Sequence, residues 1–302
     1  MTPPAMRHLH LLAHELAPFA AGLRALEDAI SYPLDRDRFT IDHGPDYHPF
    51  FSGLGEAHFL LALDGDRVVA TLCGMLRPVR ARGQTHLGLY LGDYKVAPSH
   101  RGTGVGLGLL HYGLGQLLAD PRRSALRCLY GAAMRGPHGD VMRTRKAWLH
   151  PGWIVRPAAR MRLWFADPRA LARVDPRLCP PPPDHDGWDL SPHDPAAPTL
   201  VCTAGRKDLR LVSTGAPLPL VHLAGGPSVW GASWGHWLRR AGEALADTRP
   251  EAQACFALDA RLHGHHTWIA AQGLCPDAEC TVYALARGMG AGPWVHLSTC
   301  DI

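Results

Sequence analysis

Apolar and polar positions divide the chain into short periodic segments separated by turn signals. Residues 7–12 read as a short strand. Residues 17–30 place Leu23, Leu26 and Ile30 on one face at helical spacing, which predicts an amphipathic helix. Residues 58–63 and 67–75 are apolar runs on either side of Asp64-Gly65-Asp66, and Asp-Gly between apolar runs is a hairpin signal. A strand over 86–96, a helix over 104–119, a strand over 126–134, a short helix over 140–149 and a strand region over 153–165 follow. The predicted order is β-α-β-β-β-α-β-α-β, with a missing or irregular helix around Phe50. Further on, strand-like runs are expected at 199–203, 208–213 and 219–223, a helix at 233–246, and strands at 254–260, 281–286 and 294–298.

Between these two stretches lies the clearest break, residues 179–198, which contain four consecutive prolines. Such a run cannot donate backbone hydrogen bonds and favours an extended conformation. It predicts a domain of residues 1–174, a proline-rich linker over 175–198 and a smaller domain over 199–302. A chain of 302 residues is long enough for two such cores.

Charge changes this picture little. The formal net charge is +4, from 31 Lys+Arg against 27 Asp+Glu, which excludes an acidic disordered tail or a strongly cationic nucleic-acid binder and suits a small anionic ligand. The eight cysteines form no C-x-x-C pair and read as buried thiols in a reducing compartment. No stretch reaches the ~18 apolar residues of a membrane span, and the first residues lack the pattern of a signal peptide. A cytoplasmic protein with neither a nucleic-acid nor a membrane partner is therefore expected.

The segment 95–110, KVAPSHRGTGVGLGLL, carries the chemistry. A strand ends at Val96, a glycine-rich turn follows, and an apolar helix begins. Such a turn directs several backbone N–H groups and the helix dipole at one point, which suits a phosphate or pyrophosphate. A Walker A loop would need Lys-Ser/Thr after its last glycine, which is absent. The dinucleotide fingerprint G-x-G-x-x-G has a different spacing from Gly102-x-Gly104-x-Gly106 and usually follows the first strand.

Val96, Pro98, Arg101, Gly102, Gly104 and Gly106 match, residue by residue, the motif Val-x-Pro-x-x-Arg-Gly-x-Gly-x-Gly. The segment resembles motif A of the GCN5-related N-acetyltransferase (GNAT) superfamily, and the element order extends the resemblance over about residues 7–166. The resemblance implies an α+β GNAT fold, a central mixed β-sheet flanked by helices, and acetyl-CoA or another acyl-CoA as co-substrate. It implies that Val96 pairs its backbone with pantetheine. Arg101, Gly102, Thr103, Gly104, Val105 and Gly106 would cradle the pyrophosphate.

A second copy is suggested by setting residues 98–109 over 227–238. Proline, serine, two glycines and a leucine coincide at one constant offset. Trp230 stands where Arg101 stands, and Ser233 where Gly104 stands. This predicts a degenerate GNAT-like second half that does not bind CoA and covers the sheet edge or the substrate cleft of the first.

Acyl transfer to an amine needs a base, an oxyanion stabiliser and often a proton for the leaving thiolate. The resemblance implies a base on the strand before the loop. Asp93 is the only carboxylate in 90–96, yet strict alternation puts it on the face opposite the commonest base positions, here Tyr90 and Gly92. A bulge would turn it back. Asp93, Tyr94 and Tyr90 are the candidate catalytic residues. The family's tyrosine acid falls on Trp148, which has no ionisable hydroxyl, and the pantetheine-binding Asn is absent from 135–140. Asp46, Tyr47 and His48 are candidates to line an acceptor pocket, and Glu56 is an alternative base. His138 and His150 read as surface histidines. Arg143, Arg145 and Lys146 read as a solvated basic face, and His263-Gly264-His265-His266 lacks the spacing of a metal site.

The expected function is an acyl-CoA-dependent N-acyltransferase, most simply an N-acetyltransferase, acting on a small-molecule or peptide amine. The resemblance implies that the amine enters between residues 42–58 and the start of the second half. The alternative is a non-catalytic acyl-CoA-binding or regulatory protein. A homodimer is compatible with either.

Overall fold

The structure, a computed structural model, describes residues 6–34, 37–136, 139–140, 156–181, 186–192, 200–201, 207–225, 234–286 and 289–302. The expected helix at 140–149, apart from its first residue, lies outside these, and so do His138, Trp148, His150 and the second glycine-rich turn at 226–233.

Two compact units are present, and their borders do not follow the linear division expected from the proline run. The first comprises Met1–Arg77, Leu89–Leu126 and Thr203–Leu218, and the second the remainder. Residues 203–218 join the first unit and 127–174 the second because strand pairing, and not chain order, groups them.

In the first unit, β1 (Arg7–Leu12), β4 (Glu56–Asp64), β5 (Arg67–Ala81) and β6 (Gln84–Val96) lie side by side in the order β1-β4-β5-β6. β1 runs antiparallel to β4, with Leu9 opposite Leu61. The expected hairpin joins β4 to β5, and Gly65 supplies the positive φ of +61° that the tight turn requires. α1 (Ala20–Asp28), α2 (His48–Leu54) and α3 (Val105–Ala119) complete this layer. Neighbouring strand residues point to opposite faces. Phe59 accordingly meets Phe51 of α2, ring centroids 5.7 Å apart, while Leu60 reaches Gly113 of α3. Thus α2 and α3 cover opposite faces of β4. Leu23 and Leu26 of α1 are buried as their spacing predicts, and Gly22 lets the helix approach Val68, whose side chain leaves no room for a Cβ. The irregular region around Phe50 is α2, with Pro49 in its first turn and Phe50, Phe51 and Leu54 buried.

A small second sheet has the order β12 (Pro217–Leu218), β11 (Asp208–Leu211), β3 (Asp37–Asp42), β2 (Tyr32–Leu34). It pairs Asp208–Leu211 from beyond the proline run antiparallel with Phe39–Asp42. Periodicity missed β2 because it is only three residues long and β3 because charged residues at both of its ends leave just Phe39 and Ile41 as apolar positions.

The second unit is built around the order β7 (Leu126–Gly136), β15 (Ala278–Leu285), β9 (Arg156–Ala166), β14 (Gln253–Asp259), β13 (Leu220–His222). α4 (Pro168–Leu171), α5 (Trp234–Thr248) and α6 (His263–Ala271) accompany it, together with the two-residue strands β8 (Gly139–Asp140), β10 (Trp188–Asp189) and β16 (Val295–His296). β15 from the end of the chain lies between β7 and β9, and β9 in turn lies between β15 and β14. Each half of the chain thereby places a strand beside one of the other half. Helix α5 covers the expected helix at 233–246 from Trp234 onward. The core around α5 and α6 is rich in tryptophan, with Trp164, Trp234, Trp268 and Trp294 all buried.

Candidate functional site

Strand β6 ends at Val96, a 3-10 turn occupies Pro98–His100, and α3 begins at Val105. Gly102 and Gly104 have φ of +79° and +90°, values that favour glycine. Nothing lies within 4 Å of the place a Cβ would take at either, so the loop is open where Arg101, Gly102, Thr103 and Gly104 are exposed. The Thr103 hydroxyl donates to the His100 carbonyl at 2.7 Å and fixes the turn. Gly108 N–H makes the first main-chain bond to the Gly104 carbonyl. The first N–H groups of a helix have no partner within it, and here they face an open, glycine-lined loop. That is the geometry of an anion cradle. Arg101 Nε donates to the Val96 carbonyl at 3.3 Å, holding the arginine along the strand end.

The three candidate catalytic residues are not brought together. Tyr94 is partly exposed and its phenol lies against Gly106, with Val96 Cγ2 3.0 Å from that glycine's Cβ position. A Cβ at Gly106 would push this phenol aside and crowd Val96. Burial raises the Tyr94 pKa above the ordinary tyrosine value. Tyr90 is buried, its ring against Gly92. Asp93 points away from Tyr94, toward α1 and α2, on the face of the sheet that also carries Tyr90, Met75 and Cys73.

Asp93 has φ of +53°, one of two such non-glycine residues among those described. This left-handed residue is the irregularity that the sequence left open. Its carboxylate is well buried and has one partner on each oxygen: Lys95 Nζ lies 2.5 Å from Oδ1, and the Tyr47 hydroxyl donates to Oδ2. Lys95 also bonds Glu27 Oε1 at 3.0 Å, and His43 Nδ1 lies 2.5 Å from the same oxygen. Glu27, His43, Tyr47 and Lys95 are all buried. Burial pushes the Lys95 ammonium down, but the attraction of Asp93, then Glu27 and Tyr32, outweighs it and raises the pKa above the usual lysine range. Burial likewise raises the Tyr32 phenol and the Cys73 thiol, whose sulfur is 3.9 Å from Tyr47 Oη. Donor atoms of Glu27, His43 and Asp93 lie within 4.8 Å of one another, the reach of a metal ion. The Lys95 ammonium bonds both carboxylates and supplies positive charge there.

Among the pocket candidates only Tyr47 reaches this cluster. Asp46 is exposed, and Glu56 is held at the surface by Arg122 at 2.8 Å, which lowers its pKa. Glu27 was legible in principle, because it falls four residues after Leu23 and three before Ile30, inside the apolar face of the predicted helix. A carboxylate at such a position needs a buried partner. His43 and Lys95 carried no comparable signal. His265 is buried against Trp234, and His266 bonds the Asp259 carbonyl.

The matching helix start in the second unit is closed. A Cβ at Gly235, the counterpart of Gly106, would meet Pro176 Cα and Cys179 Cβ at 3.0 Å and Trp268 at 3.1 Å. Burial raises the Cys179 thiol pKa, against a hydrogen bond from the Gly235 N–H.

Residues 26–125 match the family model described as the acetyltransferase (GNAT) family. No curated protein matches. Among solved structures, a tandem GNAT protein from the clavulanic acid biosynthesis pathway is 15% identical, with a TM-score of 0.50 over 93% of this chain and 98% of that one. Saccharomyces cerevisiae N-myristoyltransferase with bound myristoyl-CoA is 6% identical, with a TM-score of 0.53 over 94% and 84%. Residues 26–125 thus resemble a GNAT acetyltransferase domain, and the chain has the mixed-sheet GNAT fold, similar to that of a tandem GNAT protein. Among the described residues no helix is long and apolar enough to cross a membrane.

Proposed function

We propose that the protein is an acyl-CoA-dependent N-acyltransferase that uses acetyl-CoA and acylates the amine of a small molecule or peptide. The observation that carries this reading is the open loop with left-handed Gly102 and Gly104 at the start of α3, inside the segment matching the acetyltransferase family. Arg101, Gly102, Thr103, Gly104, Val105 and Gly106 hold the pyrophosphate, and Val96 meets the pantetheine arm. Among the candidate catalytic residues, Tyr94 stands nearest the loop and is the proton donor to the leaving thiolate, while Asp93 and Tyr90 serve the acceptor amine. The amine approaches from the side of α1, α2 and the β3–β11 sheet, which residues 208–218 help to build. Release of free thiol from acetyl-CoA over a panel of primary amines, lysine peptides and aminoglycosides tests the assignment, and turnover of at least one acceptor is expected. Myristoyl-CoA belongs in the same panel, because N-myristoyltransferase shares the fold.

A second reading, a non-catalytic acyl-CoA-binding protein, is favoured by one observation: both oxygens of Asp93 are already engaged, by Lys95 and Tyr47. Tight CoA binding with no turnover of any acceptor would establish it.

A further inference from the structure

The side chains of Glu27, His43, Tyr47, Asp93 and Lys95 form one connected buried chain, supplied by α1, the segment between β3 and α2, and the end of β6. We infer that Lys95, with Glu27 and His43 behind it, is a positioning device that holds Asp93 turned inward against Tyr47, in a backbone conformation Asp93 would not otherwise keep. This rests on the reading of Asp93 as the residue that serves the acceptor amine.

The argument starts from the backbone. A left-handed conformation disfavours residues with a Cβ, aspartate and asparagine least among them, and persists where the surroundings over-determine it. At Asp93 the surroundings are the Lys95 ammonium on Oδ1 and the Tyr47 hydroxyl on Oδ2. Lys95 is itself held by Glu27 on the far side. A carboxylate only accepts hydrogen bonds, so His43 Nδ1 carries the hydrogen it shares with Glu27. His43 is fixed in turn by the rings of Tyr47, Phe50 and Phe51, whose centroids lie 4.9 to 5.3 Å away. The chain therefore closes on itself, because Tyr47 touches both His43 and Asp93. Each carboxylate oxygen has a second lone pair, so Asp93 retains acceptor capacity for an incoming amine. Three elements of the first unit thus converge to fix one carboxylate, the kind of supporting shell that a functional group needs to hold its geometry.

The test removes the lock without changing the balance of charge. Lys95→Met alone leaves two carboxylates facing each other in a buried site and risks unfolding. The double variant Glu27→Gln/Lys95→Met removes one negative and one positive charge and keeps a side chain that can bond His43. Its crystal structure is expected to show Asp93 out of the left-handed region and off Tyr47. CoA affinity by calorimetry is expected to stay within about twofold. On the amine with the highest wild-type thiol release, kcat is expected to fall about a hundredfold, the scale of a misplaced reacting group, with KM for that amine little changed. Asp93 retaining φ near its present value and its bond to Tyr47 in the double variant would overturn the inference. Asp93→Asn, assayed alongside, separates the two claims. Full activity in that variant removes Asp93 from the reaction, and the double variant's structure still decides whether Lys95 holds it.

Discussion

Lys95 Nζ lies 2.5 Å from Asp93 Oδ1, two residues back along the same strand, while Tyr94 between them lies against Gly106 on the α3 side. The left-handed backbone at Asp93, with alternation resuming after it, sends an ion pair to one face of β6 and a phenol to the other. The cofactor loop and the buried charge chain occupy opposite faces of one strand end, so a substitution on one side is expected to leave the other intact.

Gly104→Glu is expected to abolish CoA binding. Gly104 caps α3 with φ of +90°, where an L side chain costs about 1–2 kcal/mol. The new carboxylate would also stand where the pyrophosphate sits. Calorimetry should show Kd raised at least about a hundredfold with the secondary structure unchanged. Wild-type affinity would refute the cradle.

One CoA per chain is expected. The start of α5 is covered by Pro176, Cys179 and Trp268, whereas the loop before α3 is open. Titration should give a stoichiometry near one. A second CoA seated at the start of α5 would show the prediction wrong.

Asp93→Asn is expected to lower kcat/KM by at least about tenfold, the modest end of what a positioned acid or base contributes, with CoA affinity nearly intact. The variant keeps an acceptor oxygen for either partner but removes the charge that attracts Lys95. Wild-type turnover would leave Tyr90, Tyr94 or a water molecule to serve the amine.

Acid should weaken the second unit through His265. Burial, with a smaller push from His266, holds this imidazole down at about 4. In the unfolded chain it titrates near 6.5. Between these values the unfolded state binds the extra proton, so stability is full above about pH 6.5 and falls as pH drops toward 4. At 1.36 kcal/mol per pH unit the ceiling on the loss is about 3.4 kcal/mol, and solvent screening lowers it. Thermal unfolding from pH 7 to 4 should show a smaller decline in His265→Gln than in the wild type. Parallel curves would remove His265 as a source.

The glycine-rich turn was legible because it is local. Gly102 and Gly104 are read from their neighbours, and Gly-rich chemistry at a strand–helix junction has few uses other than close approach to a ligand. The helices α3 and α5 were legible as an apolar run and an amphipathic run, and the constant offset of the proline, serine, glycine and leucine positions between residues 98–109 and 227–238 suggested the repeat. Asp93 could be named but not oriented, because a single left-handed residue decides which way it points and alternation says only what a regular strand would do. Tertiary structure decided the rest. Glu27, His43, Tyr47 and Lys95 are up to 68 residues apart, and no local pattern reports that their side chains meet. Strand pairing was equally invisible. β15 enters beside β7, and residues 208–211 pair with 39–42, because backbone hydrogen bonds impose no sequence code on which strand is the neighbour. The sequence therefore determined where a glycine-rich, anion-cradle-like turn stands, and the fold determined which charges stand behind Asp93 on the other face of the strand.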